Sequence, residues 1–544
     1  MRRWLALLML ALAAPAAGQA VRPAAADGLG SALGRLLDED VAGTRAVVEA
    51  HAAAHPGDTT GQISLGILRV FEHRYDEAVQ VLEAAAAGQD PSGYLRMARN
   101  AQQLAKGWAF AESEHFQVAY PKGKDEVLPP YLLEALEAQL AALEKDLGRE
   151  AASAAAPAAK VRVEILESPA DLARLSTLTE GEIRASGTIA LCKYDKLMLV
   201  SPKALATGYD WLDTAAHEFT HHVITRRTAN RAPIWLQEGV ARWYETRWRG
   251  QAGESISPFT AALVRRALEA NTLVTFEQMH PSMAKLPSQD LAALAYAEVV
   301  LMVELAVQRG GPEVIGKVLD LVGAGLPADA AMAQALGQPW PEVQAAWRRH
   351  LATRPLPRGG AQALSRLRFK DDPKQAGDWV EWAELPDQAS RDHARLGELF
   401  RERGRWTPAR VEYRKAIDRA GARVGILASQ FAVAAVQTGQ KAEAEKVLQE
   451  AIGWNPDHAG LRVQLARLLL ERKELAAAGP HLVAANRQDP FDPEIHAGLA
   501  LVAEARGDAG TASRERRFTE ILRGPSGHAA EGHGPHPGQG QGHP

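Results

Sequence analysis

Four turn positions in the last third of the chain, Gly404, Gly439, Lys473 and Gly507, are spaced by 35, 34 and 34 residues. That period constrains the fold more than any other feature. It repeats one helix–turn–helix unit, and such a unit buries its apolar face only by stacking on neighbours. The register holds around each turn. Seven residues before it stand Gly397, Ala432, Ala466 and Ala500, and five after it Ala409, Ala444, Ala478 and Ala512. Twelve after it come Ala416, Ala451, Ala485 and, less well, Thr519. Small residues belong where the two helices of a hairpin approach closely, and Pro456 and Pro490 close second helices.

The period is that of tetratricopeptide repeats, and residues 392–523 resemble four of them. Near the N-terminus, "LGILRVFEHRYDEAVQVLEAAAAGQDP" carries Gly66, Ala78, Ala85 and Pro91 at the same offsets around His73. Residues 21–107 are therefore expected to form a similar helical segment, which must pack on neighbours. The texture changes over residues 108–355. "HFQVAY", "KVRVEIL" and "GTIALCKYDKLMLVSP" read as strands, and "YLLEALEAQLAALEKDLG" as a helix closed by Gly148. The predicted order of strand, helix, strand, strand, helix, helix is α+β, and everything from "SPFTAALVRRALEA" onward is helical. "TRPLPRGG" starts a linker, residues 356–391. Residues 524–544 are a His/Gly/Pro-rich tail of the kind that stays disordered.

The start, "MRRWLALLMLALAAPAAGQA", has Arg2 and Arg3, an apolar run and then small residues. That is a secretory signal, residues 1–20, and too short to span a bilayer comfortably. No other stretch is long enough to span. The abundance of Ala and Arg suggests a GC-rich bacterium, so a periplasmic or secreted location is expected. The net charge of −4 suggests no basic nucleic-acid surface. Cys192 is the one cysteine, so no internal disulfide forms, and its apolar setting marks a small buried hydrophobe.

The chemistry lies in "WLDTAAHEFTHHVITRRTANRAPIWLQEGVARWYE", Trp211 to Glu245. His217 and His221 stand four apart, so on a helix both imidazoles reach one ion. Glu218 is turned off that axis, beside the ion, where a general base for a water belongs. Asp210 is expected to cap the helix, with Arg226 and Arg227 matching its C-terminal dipole. His222 points about 100° away and is read as structural or surface. A catalytic zinc wants a third protein ligand and leaves its fourth position open. After the loop "TANRA", Pro233 opens a second helix whose Glu238 can face the histidines, because helices joined by a short loop pack side by side. The alternative, a solvent-facing glutamate, is disfavoured by its neighbours Trp235, Leu236, Val240 and Ala241.

"HEFTH" followed by "PIWLQEGVARWYE" resembles the peptidase MA-like gluzincin family over about Ser113 to Arg354. The resemblance implies an α+β zincin-like metallopeptidase domain flanked by all-α repeat segments. It implies one zinc per chain on His217, His221 and Glu238, with Glu218 as general base. Related gluzincins take an oxyanion donor from a later helix, and Tyr296 in "LAYAEVV" is similar in placement; a core tyrosine is the alternative. His280, before a proline, is a weaker candidate. Arg242 departs from the family, which often carries an acid in E-G-x-A-E. The strand "KLMLVSP" is expected to offer an edge for an extended peptide.

The leading expectation is an exported zinc metallopeptidase whose repeats bind substrate or partner proteins, with no nucleic-acid partner and no membrane span. The alternative is a non-catalytic repeat scaffold with a vestigial peptidase-like domain, against which the complete set of His217, Glu218, His221 and Glu238 argues. A third reading, zinc handling, rests on His528, His533, His536 and His543 in the tail.

Overall fold

A computed structural model describes residues 28–86, 93–148, 160–250, 258–279, 283, 286–353, 369–371, 382 and 385–524. The expected signal segment, most of the linker, His280 and the tail from 525 onward lie outside these residues. The chain divides into two compact units, Met1–Val380 and Glu381–Pro544. Among the described residues no helix is long and apolar enough to cross a membrane.

The first unit opens with five helices, α1 Leu29–Leu37, α2 Val41–Ala54, α3 Thr59–Phe71, α4 Tyr75–Ala86 and α5 Tyr94–Ala105. The α+β part follows: β1 Trp108–Glu112, β2 Phe116–Pro121, α6 Leu128–Leu147, β3 Val161–Leu166, α7 Pro169–Leu175, α8 Glu180–Ser186, β4 Ala190–Lys193 and β5 Lys196–Val200. Helices α9 Trp211–Thr228, α10 Ile234–Tyr244, α11 Pro258–Ala270, α12 Gln289–Gly310, α13 Val314–Gly323, α14 Ala328–Leu336 and α15 Trp340–Thr353 complete it.

The strands form one sheet in the order β1-β2-β3-β5-β4, with β2, β3 and β5 parallel and the two edge strands antiparallel. Strands β3 and β5 are buried along their whole length, as parallel strands covered on both faces are. Two expectations are corrected. "WAFAE" is a strand that the sequence reading missed, because five residues at an edge carry too little alternation to stand out. And "KLMLVSP" is no free edge: β5 is flanked by β3 and β4, and β4 takes the edge. The β4–β5 hairpin turns through Tyr194 and Asp195 at φ of 60° and 58°, the left-handed pair that a two-residue hairpin loop needs.

Helices α1–α5 share one core with the sheet, in which Leu36, Val48, Phe71 and Leu82 join Ala119, Met198 and Val200. A buried polar knot crosses that contact. The Tyr75 hydroxyl donates to Glu164 Oε1 at 2.5 Å, and Lys196 Nζ donates to Glu164 Oε2 at 2.6 Å and to the Tyr75 oxygen at 2.9 Å. Burial works against the Glu164 charge, but Lys196 and Arg162 outweigh it and hold the carboxyl down at about 2. Breaking one member would strand buried charge, which typically costs about 3–5 kcal/mol. Glu39 extends the link, accepting the backbone N–H groups of Tyr194 and Asp195 at 3.2 and 3.4 Å.

The second unit is four helical hairpins: α16 Gln388–Glu402 with α17 Trp406–Ala420, α18 Gly425–Gln437 with α19 Lys441–Trp454, α20 Ala459–Glu471 with α21 Leu475–Gln488, and α22 Pro493–Ala505 with α23 Ala509–Arg523. The aligned turn residues Gly404, Gly439, Lys473 and Gly507 are all left-handed, at φ of 67°, 77°, 62° and 76°. His73, their counterpart in the first unit, is left-handed too, at 60°. Left-handed backbone is what one residue per hairpin must supply, and glycine supplies it without strain. The small residues are explained as directly: a Cβ on Gly397 would lie 2.7 Å from the Tyr413 ring.

Glu298 on α12 is wholly buried, with Oε1 accepting the Val274 N–H at 2.9 Å and Oε2 without a hydrogen-bond partner. Burial pushes its carboxyl up to about 8, from an ordinary value of 4.5. Between those values the folded chain keeps a proton that the unfolded chain gives up, so stability falls as pH rises. The slope is at most about 1.4 kcal/mol per pH unit. Glu298→Gln is expected to flatten the fall in urea-unfolding stability between pH 5 and 8; parallel curves for the two proteins would contradict this account.

Candidate metal centre

Helix α9 carries His217, Glu218 and His221. Its start differs from expectation. Asp210 occupies the N-cap position, but its carboxylate makes no cap hydrogen bond; its carbonyl instead accepts the Thr214 N–H and hydroxyl, each at 2.9 Å. At the far end Arg226 is held by Asp195 at 2.6 and 2.7 Å and Arg227 by Asp320 at 2.8 Å. The chain then reverses through Ala229 and Asn230, both left-handed. Helix α10 begins after Pro233 and packs back on α9.

The reversal brings Glu238 onto the histidines. Glu238 Oε2 lies 3.4 Å from His217 Nε2 and 3.5 Å from His221 Nε2, and the two Nε2 atoms are 3.1 Å apart. A tetrahedral ion with bonds of about 2.0–2.1 Å wants ligand atoms about 3.3 Å apart. The triangle therefore fits one face of a zinc tetrahedron, and two imidazoles with one carboxylate are a donor set that zinc accepts. Among the described residues this is the one group of three such side chains placed to share an ion.

The imidazoles are oriented from behind by two residues that the sequence reading did not single out. His217 Nδ1 lies 3.2 Å from Glu245 Oε2, and His221 Nδ1 lies 3.1 Å from Gln237 Oε1. The Thr225 hydroxyl oxygen accepts the Gln237 amide N–H at 3.5 Å, which sets the carbonyl end of that amide toward His221. With Nδ1 donating to its oxygen partner, each ring can offer Nε2 to an ion by giving up the proton that otherwise pairs it with Glu238. A signal for Glu245 existed: it follows Glu238 by seven residues, two helical turns. Arg242, where the family often has an acid, instead grips Glu245 through Nη1 at 2.9 and 3.0 Å. Asp213 accepts the Trp248 indole N–H at 2.8 Å and pairs with Arg249, tying the turn after Glu245 to α9.

Burial opposes charge on His217, but the Glu238 and Glu245 carboxylates outweigh it and hold its pKa up at about 10. Burial likewise works against the Glu238 carboxylate, yet the two imidazoles hold it far below its usual range.

Glu218 is buried and does not join the triangle. Burial pushes its carboxyl up, while His221, His217 and the backbone N–H of Cys192 pull the other way. Strand β4 thus touches the expected general base through its main chain. Cys192 itself is partly buried, and burial pushes its thiol well up. Tyr296 on α12 lies near enough to feel the site's charge: Glu238 is the largest cause that raises its hydroxyl pKa, with burial next and Glu218 adding. Helix α12 comes that close because Gly239 has no side chain; a Cβ there would sit 2.9 Å from the Val299 carbonyl oxygen. His222 is buried on another face, stacked with Phe219 and 3.8 Å from Asp195.

Residues 142–353 match the sequence profile of the Peptidase MA superfamily, and residues 435–502 match that of a tetratricopeptide repeat. No curated protein matches the chain. The profile match encloses α9, α10 and Tyr296, and the repeat match falls within the second unit. The middle of the chain thus carries a Peptidase MA superfamily domain, and tetratricopeptide repeats follow it.

Proposed function

We propose that this chain is an exported zinc-dependent metallopeptidase. The observation that carries the reading is the convergence of His217, His221 and Glu238 within 3.5 Å of one another, each imidazole held from behind. His217, His221 and Glu238 would hold one zinc ion per chain. When bound, zinc supplies Lewis-acid polarisation of an attacking water and of the scissile carbonyl.

The remaining chemistry belongs to the chain's own side chains. Glu218 takes a proton from the attacking water at its carboxylate and passes it to the departing amine. Its buried setting, which raises its proton affinity, suits a group that must first accept and then release a proton. The Tyr296 hydroxyl, kept protonated by the neighbouring carboxylates, donates a hydrogen bond to the oxyanion. The basic and apolar start of the chain supports export, to the periplasm or outside the cell. The repeats bind substrate or partner proteins. Stacked repeats of this kind present extended surfaces suited to that role.

Elemental analysis of the purified chain should find a tightly held zinc that His217→Ala loses; equal zinc in both proteins sinks the metal assignment. Glu218→Gln should keep that zinc and lose hydrolysis by roughly 10²–10⁴-fold or more. Tyr296→Phe should keep zinc and KM and lower kcat by roughly 10²–10³-fold, the usual effect of removing one oxyanion donor. Full activity in Glu218→Gln would point to the scaffold reading and a contaminating enzyme.

A further inference from the structure

Three residues of the stretch that reads as a linker, Phe369, Lys370 and Asp371, are fastened to the first unit. They lie on the connection between β5 and α9. Phe369 forms an antiparallel bridge with Leu205, and the Lys370 N–H donates to the Ala204 carbonyl at 2.9 Å. Phe369 and Leu205 are both wholly buried. The Arg184 guanidinium of α8 lies 5.3 Å from the centre of the Phe369 ring. It also holds Asp371 in a fork, Nη1 to Oδ1 at 2.9 Å and Nη2 to Oδ2 at 2.7 Å. Backbone, apolar and ionic contacts thus converge on three consecutive residues.

The hold is local and strands nothing when it opens. Asp371 is 56% exposed and returns to water at little cost. Arg184 keeps a second acid, since Glu180 Oε1 already accepts its Nε at 2.9 Å and its Nη2 at 2.7 Å. What the contact holds is the connection that feeds the metal-site helix. Its two ends are fixed separately: Ser201 Oγ donates to Asp125 at 2.6 Å, and the Tyr209 hydroxyl donates to the Val200 carbonyl at 2.6 Å. Leu205, between them, is covered by Phe369. Helix α9, with His217, Glu218 and His221, starts at Trp211.

We propose that Phe369–Asp371 is a releasable latch. Closed, it orders the connection from Ser201 to Asp210; open, it frees that connection ahead of the metal-site helix. The latch lies on the chain that runs on to the second unit at Glu381, which makes it a regulatory contact between tether and site helix. The proposal stands apart from any bound metal or hydrolysis.

Hydrogen-exchange mass spectrometry on the full chain tests it. In the parent, the Lys370 amide should exchange faster than those of β3 and β5, because the latch opens without global unfolding. Phe369→Ala should speed exchange at Ala204 and Leu205 roughly 10- to 100-fold, the weight of burying one such ring. Asp371→Asn, a surface change, should speed it roughly 2- to 5-fold, the weight of an exposed ion pair. A synthetic peptide of residues 365–374, SRLRFKDDPK, added to the Phe369→Ala chain should restore the slow exchange, and the same peptide with Ala in place of Phe should not. Lys370 exchange as slow as that of β5, unchanged exchange at Ala204 and Leu205 in both variants, or a loosening that the peptide fails to reverse would each overturn the latch.

Discussion

A carboxylate taken out of water needs compensating positive charge or donors, and Glu238 finds them in His217 and His221. The rest of the site follows from that contact. It requires α10 to fold back on α9, which the left-handed pair Ala229 and Asn230 permits. It requires α12 to pass close by, which Gly239 permits. And it requires both imidazoles to turn their Nε2 atoms the same way, which Glu245 and Gln237 enforce from the far side. A buried histidine pair without an ion would be an expensive way to stabilise two helices, since apolar residues of similar size would serve as well.

The N-terminal helices contribute more than length. They share a core with the sheet, and the Tyr75–Glu164–Lys196 knot is a contact that cannot slip by a residue without stranding charge. Glu39 then holds the β4–β5 turn, and β4 presents the Cys192 N–H to Glu218. The helices α1–α5 thus hold, through Glu39, the turn of the hairpin whose first strand passes Glu218. The second unit is built on a simpler rule, one left-handed turn per hairpin with a small residue buried on either side of it, repeated four times among the described residues.

What was legible in the sequence was what depends on spacing along one element. His217 and His221 at helical spacing, Glu238 on the next helix, and the repeat register are all local patterns, and the geometry brings each together. Tyr296 was singled out only through the family resemblance, since nothing local distinguishes it from a core tyrosine, and its role stays a proposal. What was not legible depends on which elements become neighbours. The order β3-β5-β4 hides β5 and exposes β4, and no local pattern in "KLMLVSP" says so. Asp210 has a capping residue's chemistry, yet its carbonyl rather than its carboxylate serves the first turn. Gln237 and Glu245 are ordinary polar residues until the fold puts a histidine Nδ1 in front of each.

The central claim is that His217, His221 and Glu238 form one zinc site. X-ray absorption at the zinc edge of the zinc-loaded chain tests it most directly. The account predicts four nitrogen or oxygen neighbours at about 2.0–2.1 Å, two of them with the outer-shell signature of imidazole. Sulfur at about 2.3 Å, which would implicate Cys192, or three or more imidazoles from elsewhere in the chain, would contradict it.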